Sequence, residues 1–118
     1  MKLTENKHED MKLNDYQKMA LETAIYPHEY KVIYPALGMA GEAGEVADKV
    51  KKIIRDNSSK INNEKALEIA KEIGDVLWYC ATMANDLGFD LETIAKMNYE
   101  KLRSRQQRGV ISGNGDNR

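Results

Sequence analysis

Residues 42–56, EAGEVADKVKKIIRD, and 69–84, IAKEIGDVLWYCATMA, return an apolar side chain every three or four positions. That spacing is the period of an α-helix, about 3.6 residues per turn, and not the period of two that a strand needs. Between them stands Asn57-Ser58-Ser59-Lys60, a polar turn. Working outward, one helix runs from Pro35 to Asp56, with proline tolerated in a first turn whose N–H groups have no helical partner. The next runs from a cap at Asn62 or Asn63 to Leu87, with Gly88 suited to the position after its end. Upstream, a shorter helix spans Asn14 to Tyr26, capped by Asn14 or Asp15, and stops at Pro27-His28-Glu29-Tyr30. Downstream, Asp90 caps a fourth helix reaching Gln106. The expected fold is all-α, a four-helix bundle formed by residues 14–106. Residues 1–13 are expected to be mobile, and the tail 107–118, with its Gly and Arg residues, to be loose unless a ligand orders it.

Length and composition bound the function. The 118 residues suit one domain. The uncharged run Val76 to Asn85 is far short of the roughly 20 apolar residues that span a bilayer, and the N-terminus has no apolar stretch of the signal-peptide kind. One cysteine, Cys80, cannot build a disulfide framework and reads as a plain buried thiol. These features fit a cytoplasmic protein. The 18 Lys+Arg and 19 Asp+Glu nearly cancel, so no general attraction to a nucleic-acid polymer is expected. The cations Lys101, Arg103, Arg105, Arg108 and Arg118 gather in the last part of the chain, where Asp116 is the lone acid.

Two short motifs carry the chemistry: Glu42-Ala-Gly-Glu45 and Glu72-Ile-Gly-Asp75. A separation of three puts each pair on neighbouring turns of one helix face. On a wheel of about 100° per residue with the first Glu at zero, Met39, Ala43, Val46, Ala47, Val50, Ile53 and Ile54 fall between about 20° and 140°. Ile69, Ala70, Ile73, Val76, Leu77, Cys80 and Ala84 fill nearly the same arc of the next helix, and Glu45 and Asp75 both lie near 300°. A short turn makes the helices an antiparallel pair, in which equal offsets project to the same side. The two motifs are also equidistant from the Ser58-Ser59 turn, which puts them at one level. Four carboxylates are therefore expected on one patch.

Clustered anions repel each other unless a cation lies between them. Oxygen-only ligands suit a hard ion, Mg²⁺ with Mn²⁺ as the substitute, rather than Zn²⁺. Either acid pair alone would be ordinary decoration of a solvated helix; the matched offset and level favour a site. Gly38, Gly41, Gly44 and Gly74 also fall within helices, each costing about 1 kcal/mol against alanine. Close helix approach beside the acids, with room for a ligand, would account for them.

These residues resemble a known family. Gly41-Glu42-Ala-Gly-Glu45-Val, then Lys71-Glu72-Ile-Gly-Asp75-Val-Leu-Trp-Tyr79, then Asn98-Tyr-Glu-Lys101-Leu-Arg-Ser-Arg105 are similar to the MazG-like nucleotide pyrophosphohydrolases of the all-α NTP pyrophosphatase superfamily, over residues 14–118. The resemblance implies Mg²⁺ held by Glu42, Glu45, Glu72 and Asp75, and hydrolysis of an NTP or dNTP to the monophosphate and pyrophosphate by water attack at the α-phosphorus. It implies that Lys101 and Arg105 hold phosphate oxygens and that Asn98 contacts phosphate or sugar. The spacing of 98, 101, 105 and 108 puts them on one face of the fourth helix, where a solvated basic face is the plain alternative.

Tyr79, one turn beyond Asp75, is placed to meet a base or sugar, and Trp78 to lie near a subunit contact. Tyr16 and Gln17 could line a base pocket, with core and cap roles as the alternatives. His8 and His28 read as surface residues. Three rivals stand beside the NTP reading: a dUTPase-like enzyme or a phosphoribosyl-ATP pyrophosphohydrolase of the same superfamily, and a non-catalytic helical oligomer. A di-iron bundle would use Glu-x-x-His pairs, and none occurs within the four helices. The core available to so few helices is thin, so a homodimer or homotetramer is expected.

Overall fold

A computed structural model describes residues 10–118, and its helices are α1 (Leu13–Leu21), α2 (Ile33–Asp56), α3 (Asn63–Asp86) and α4 (Leu91–Gln107), with a 3₁₀ turn at His28–Tyr30 between α1 and α2. No strand occurs among the described residues, and no helix there is long and apolar enough to cross a membrane. The expected all-helical architecture is what the chain adopts. Residues 1–9, His8 among them, lie outside the described part. Leu13 opens α1 with Lys12 as its cap, one residue ahead of the helix start expected at Asn14.

Local chemistry sets most helix ends. Asn62 accepts the Lys65 N–H at 2.8 Å to cap α3, and Asp90 accepts the Thr93 N–H at 2.8 Å to cap α4. Gly88 takes φ 86°, the left-handed conformation that ends α3 and that only glycine adopts freely. The start of α2, at Ile33 rather than Pro35, and both ends of α1 differ from expectation. The cap of α1 is Lys12, whose N–H donates to Asp15 Oδ2 at 3.0 Å. Asn14 is thereby left to exchange two 3.0 Å hydrogen bonds with Glu92 at the start of α4. The same helix stops at Leu21 instead of Tyr26. The segment after it is tied to α3: Asp86 accepts both the Tyr26 hydroxyl at 2.7 Å and the Val32 N–H at 2.9 Å. Val32 has φ 69°, a costly conformation for a β-branched residue that this carboxylate holds in place.

The core is small and lies at one end. Ala20, Ala81, Ala84 and Leu91 are buried there, flanked by Tyr16, Trp78 and Cys80, where α1 crosses the end of α3 and the start of α4. Gln17, 6% exposed, joins the three helices: its amide donates to Ala81 O and Phe89 O and accepts from Leu91 N, each at 3.1 Å. Gln17 is thus a core and cap residue, not the lining of a base pocket.

Away from this end, α2 packs chiefly on α3. The arcs that meet are narrower than the apolar stripes and are centred on the first acids. Met39, Glu42, Val46, Lys49 and Ile53 turn inward from α2, and Ile69, Glu72, Val76 and Tyr79 from α3. The far half of each stripe is uncovered. Ala43, Ala47 and Ala70 are exposed, as are Ile54 (61%), Ile73 (56%) and Val50 (37%). The stripe expected to form the core therefore does so only along its near edge. A radius of gyration of 17.2 Å, against about 13–14 Å for a compact chain of this length, agrees with an open hairpin.

Candidate functional site

The level expected from the turn geometry brings acids together across α2 and α3. One oxygen each of Glu42, Glu72 and Asp75 lies within 4.8 Å of the others. Glu45 is not in this cluster. Its exposed side chain lines a neighbouring charged cavity of about 350 Å³ with Asp48, Lys49, Lys52 and Lys65. Glu42 and Glu72 sit at the centre of the helix contact, and Glu45 and Asp75 share the same offset towards solvent, but only Asp75 brings an oxygen to the cluster. Three of the four expected carboxylates are thus assembled, and the fourth is one helical turn away.

The electrostatics of the cluster are those of a site short of positive charge. Partial burial, a hydrogen bond shared with Glu72, and the charges of Asp75, Glu72 and Glu45 together push the Glu42 carboxyl above its ordinary pKa. The nearest compensation is Lys49, whose ammonium stands 3.6 Å from Glu72. Sequence reasoning did not single out Lys49, although its place one turn after Glu45 was the available signal. Three convergent carboxylate oxygens with no His or Cys fit a hard divalent cation in chemistry and in number.

Beside the acids is a cleft of about 360 Å³ lined by Thr23, Glu42, Asp75, Trp78 and Tyr79. Tyr79 faces α2 and joins an aromatic series: Tyr26 stacks on Tyr34 with centroids 4.8 Å apart, Tyr34 is 6.4 Å from Tyr79, and Trp78 meets Tyr79 edge-on at 5.0 Å. Trp78, expected near a subunit contact, has its indole N–H engaged within the chain, donating to Thr23 Oγ1 at 2.8 Å. Thr23 is a second lining residue that the sequence did not mark.

The basic face of α4 is placed differently. Asn98 lines a separate groove between α4 and the tail with Tyr99, Leu102, Arg103, Gln106, Gln107 and Ile111. Arg105 is 5% exposed rather than solvated. Its guanidinium donates to Asp116 O at 2.6 Å and to the Asp116 carboxylate at 3.2 Å, which Lys101 also meets at 2.8 Å. Those two cations hold the Asp116 carboxyl below its usual pKa. The tail is accordingly folded back, not loose, and Arg118 pins it by donating to Val110 O, Ile111 O and Gly115 O. Within one chain, Asn98 and Arg103 line a groove separate from the cleft of the acids, and Lys101 and Arg105 are engaged by Asp116.

The site is thus an all-α hairpin that presents converging carboxylates beside an aromatic cleft. The chain belongs to the MazG nucleotide pyrophosphohydrolase family, whose domain model matches residues 35–110. It is 46% identical over 114 residues to the Gene 37 protein of Mycobacterium phage L5, covering 92% of this chain and 100% of that one. No solved structure gives a significant match.

Proposed function

We propose that the protein is a Mg²⁺-dependent nucleoside triphosphate pyrophosphohydrolase, converting an NTP or dNTP to NMP or dNMP and pyrophosphate. The cluster of Glu42, Glu72 and Asp75 beside the Tyr79 cleft carries this reading. Those three carboxylates would hold the ion, with Glu45 as a fourth ligand from the adjacent turn; Mn²⁺ could replace Mg²⁺. When bound, the ion supplies positive charge to the phosphate chain and lowers the pKa of water. The chain's own contributions are distinct. Lys49 neutralises Glu72 while the acids are otherwise uncompensated, and Tyr79, Trp78 and Thr23 offer a surface for base or sugar. Lys101 and Arg105 would grip phosphate oxygens, and Asn98 would contact phosphate or sugar. That grip requires the two cations to exchange Asp116 for substrate.

The uncovered stripe on α2 and α3 supports a homodimer, or a tetramer built of dimers, as the working form. A second copy of the same stripe is complementary to it, since a twofold interface matches a surface to itself. Pyrophosphate release from a panel of NTPs and dNTPs, with Mg²⁺ and with a chelator, tests the activity. Release that depends on Mg²⁺ is expected; absence of release from every nucleotide, with either Mg²⁺ or Mn²⁺, refutes it.

A further inference from the structure

Of the four glycines inside helices, Gly41, Gly44 and Gly74 have nothing within 4 Å of the place a Cβ would take, so close approach within the chain does not explain them. Gly38 is different. It precedes Glu42 by one turn, and the Tyr79 ring occupies the space a side chain would fill. A Cβ there would overlap Cε1 and Cζ and stand 2.6 Å from Cδ1, where carbons in contact keep about 3.5–4.0 Å. The ring also has neighbours on two sides, Tyr34 at 6.4 Å and Trp78 at 5.0 Å, and Trp78 is fixed to Thr23. A ring expelled from the notch has the cleft over Glu42 and Asp75 as its open direction.

We propose that Gly38 is a positioning residue for the nucleoside part of the substrate: it seats Tyr79 against α2 and so keeps the cleft beside the acids open. This rests on the pyrophosphohydrolase reading and deepens it by separating the nucleoside subsite from the metal site. Gly38 touches neither acid nor substrate; it acts through Tyr79. The chain's single tryptophan, Trp78, is in edge contact with that ring and reports its position without turnover.

The test is a double-mutant cycle of Gly38→Ala and Tyr79→Ala, reading KM and kcat on the dNTP panel, Trp78 emission, and the rise in melting temperature on adding Mg²⁺. Gly38→Ala should raise KM about tenfold with kcat within about twofold, because uniform binding is what it removes. Trp78 emission should change and the response to Mg²⁺ should match wild type. In the Tyr79→Ala background the same substitution should alter KM by less than about twofold, since the ring through which it acts is gone. A penalty that persists there, or a loss confined to kcat, overturns the proposal. If Gly38→Ala is too unstable to purify, the double variant should regain a cooperative melt; failure to do so also overturns it. A wild-type protein that hydrolyses no nucleotide removes the nucleoside as occupant together with the proposed function, while the emission change still decides whether Gly38 seats the ring.

Discussion

Replacing Gln17 by leucine keeps the volume of the side chain but deletes three hydrogen bonds at the crossing of α1, α3 and α4. Each is 3.1 Å long and the residue is 6% exposed, so water does not readily replace them. The carbonyl of Ala81 lies within α3 and suffers least. Leu91 N–H stands in the first turn of α4, where no intrahelical acceptor exists, and Phe89 O lies in the connection before it. Taking about 1 kcal/mol for each of the three lost bonds, the cost comes to about 3 kcal/mol. For a domain of this size that lowers Tm by roughly 10–15 °C. Urea and thermal unfolding measure it, and hydrogen exchange of the Leu91 amide localises it. A loss below about 0.5 kcal/mol would refute the claim that this amide holds the helices together, because even one net hydrogen bond exceeds that.

Mg²⁺ at a hundredfold excess over its Kd should stabilise the fold by about 2.7 kcal/mol, and Glu72→Gln should remove most of that gain; an unmoved wild-type melting curve counts against the carboxylate site. Burial and the hydrogen bond to Asp86 push Tyr26 up to about 12. Because the folded pKa lies above the unfolded one, the stability this contributes is whole below about pH 10 and is lost as pH rises toward 12. Alkaline melts of Tyr26→Phe should lack that loss, and identical profiles for the two proteins would contradict it. Ile73→Asp, in the exposed stripe, should convert an oligomer to a 13.4 kDa species in sedimentation; a wild-type protein that is already monomeric at micromolar concentration contradicts the oligomer.

The helices and most of their ends were legible because their signals are local. Asn62, Asp90 and Gly88 each act within a turn of themselves, and the hairpin geometry follows from rise per residue. What the sequence did not disclose is long-range. An apolar arc of some 120° on a helix wheel does not say which part faces a neighbour within the chain and which faces away. The inward arcs proved to be centred on Glu42 and Glu72, and this rotation leaves Ile54 and Ile73 exposed; it does not separate Glu45 from Asp75, which shares its offset and yet joins the cluster. Pairings such as Tyr26 with Asp86, Arg105 with Asp116, and Gln17 with Leu91 have no periodic signature at all. Gly38 is marked by spacing only as a glycine inside a helix, and the Tyr79 ring that fills its notch, 41 residues on, has no local signal.

The central claim is hydrolysis at the α-phosphorus by the Glu42, Glu72 and Asp75 site. It is tested most directly by running the reaction with Mg²⁺ in ¹⁸O-labelled water and locating the label by mass spectrometry, with Asp75→Asn as the control. Water attack at the α-phosphorus predicts one ¹⁸O in the nucleoside monophosphate, none in pyrophosphate, and turnover reduced by several orders of magnitude, roughly, in Asp75→Asn. Label in pyrophosphate or orthophosphate, a nucleoside diphosphate product, or undiminished turnover in Asp75→Asn would contradict the account.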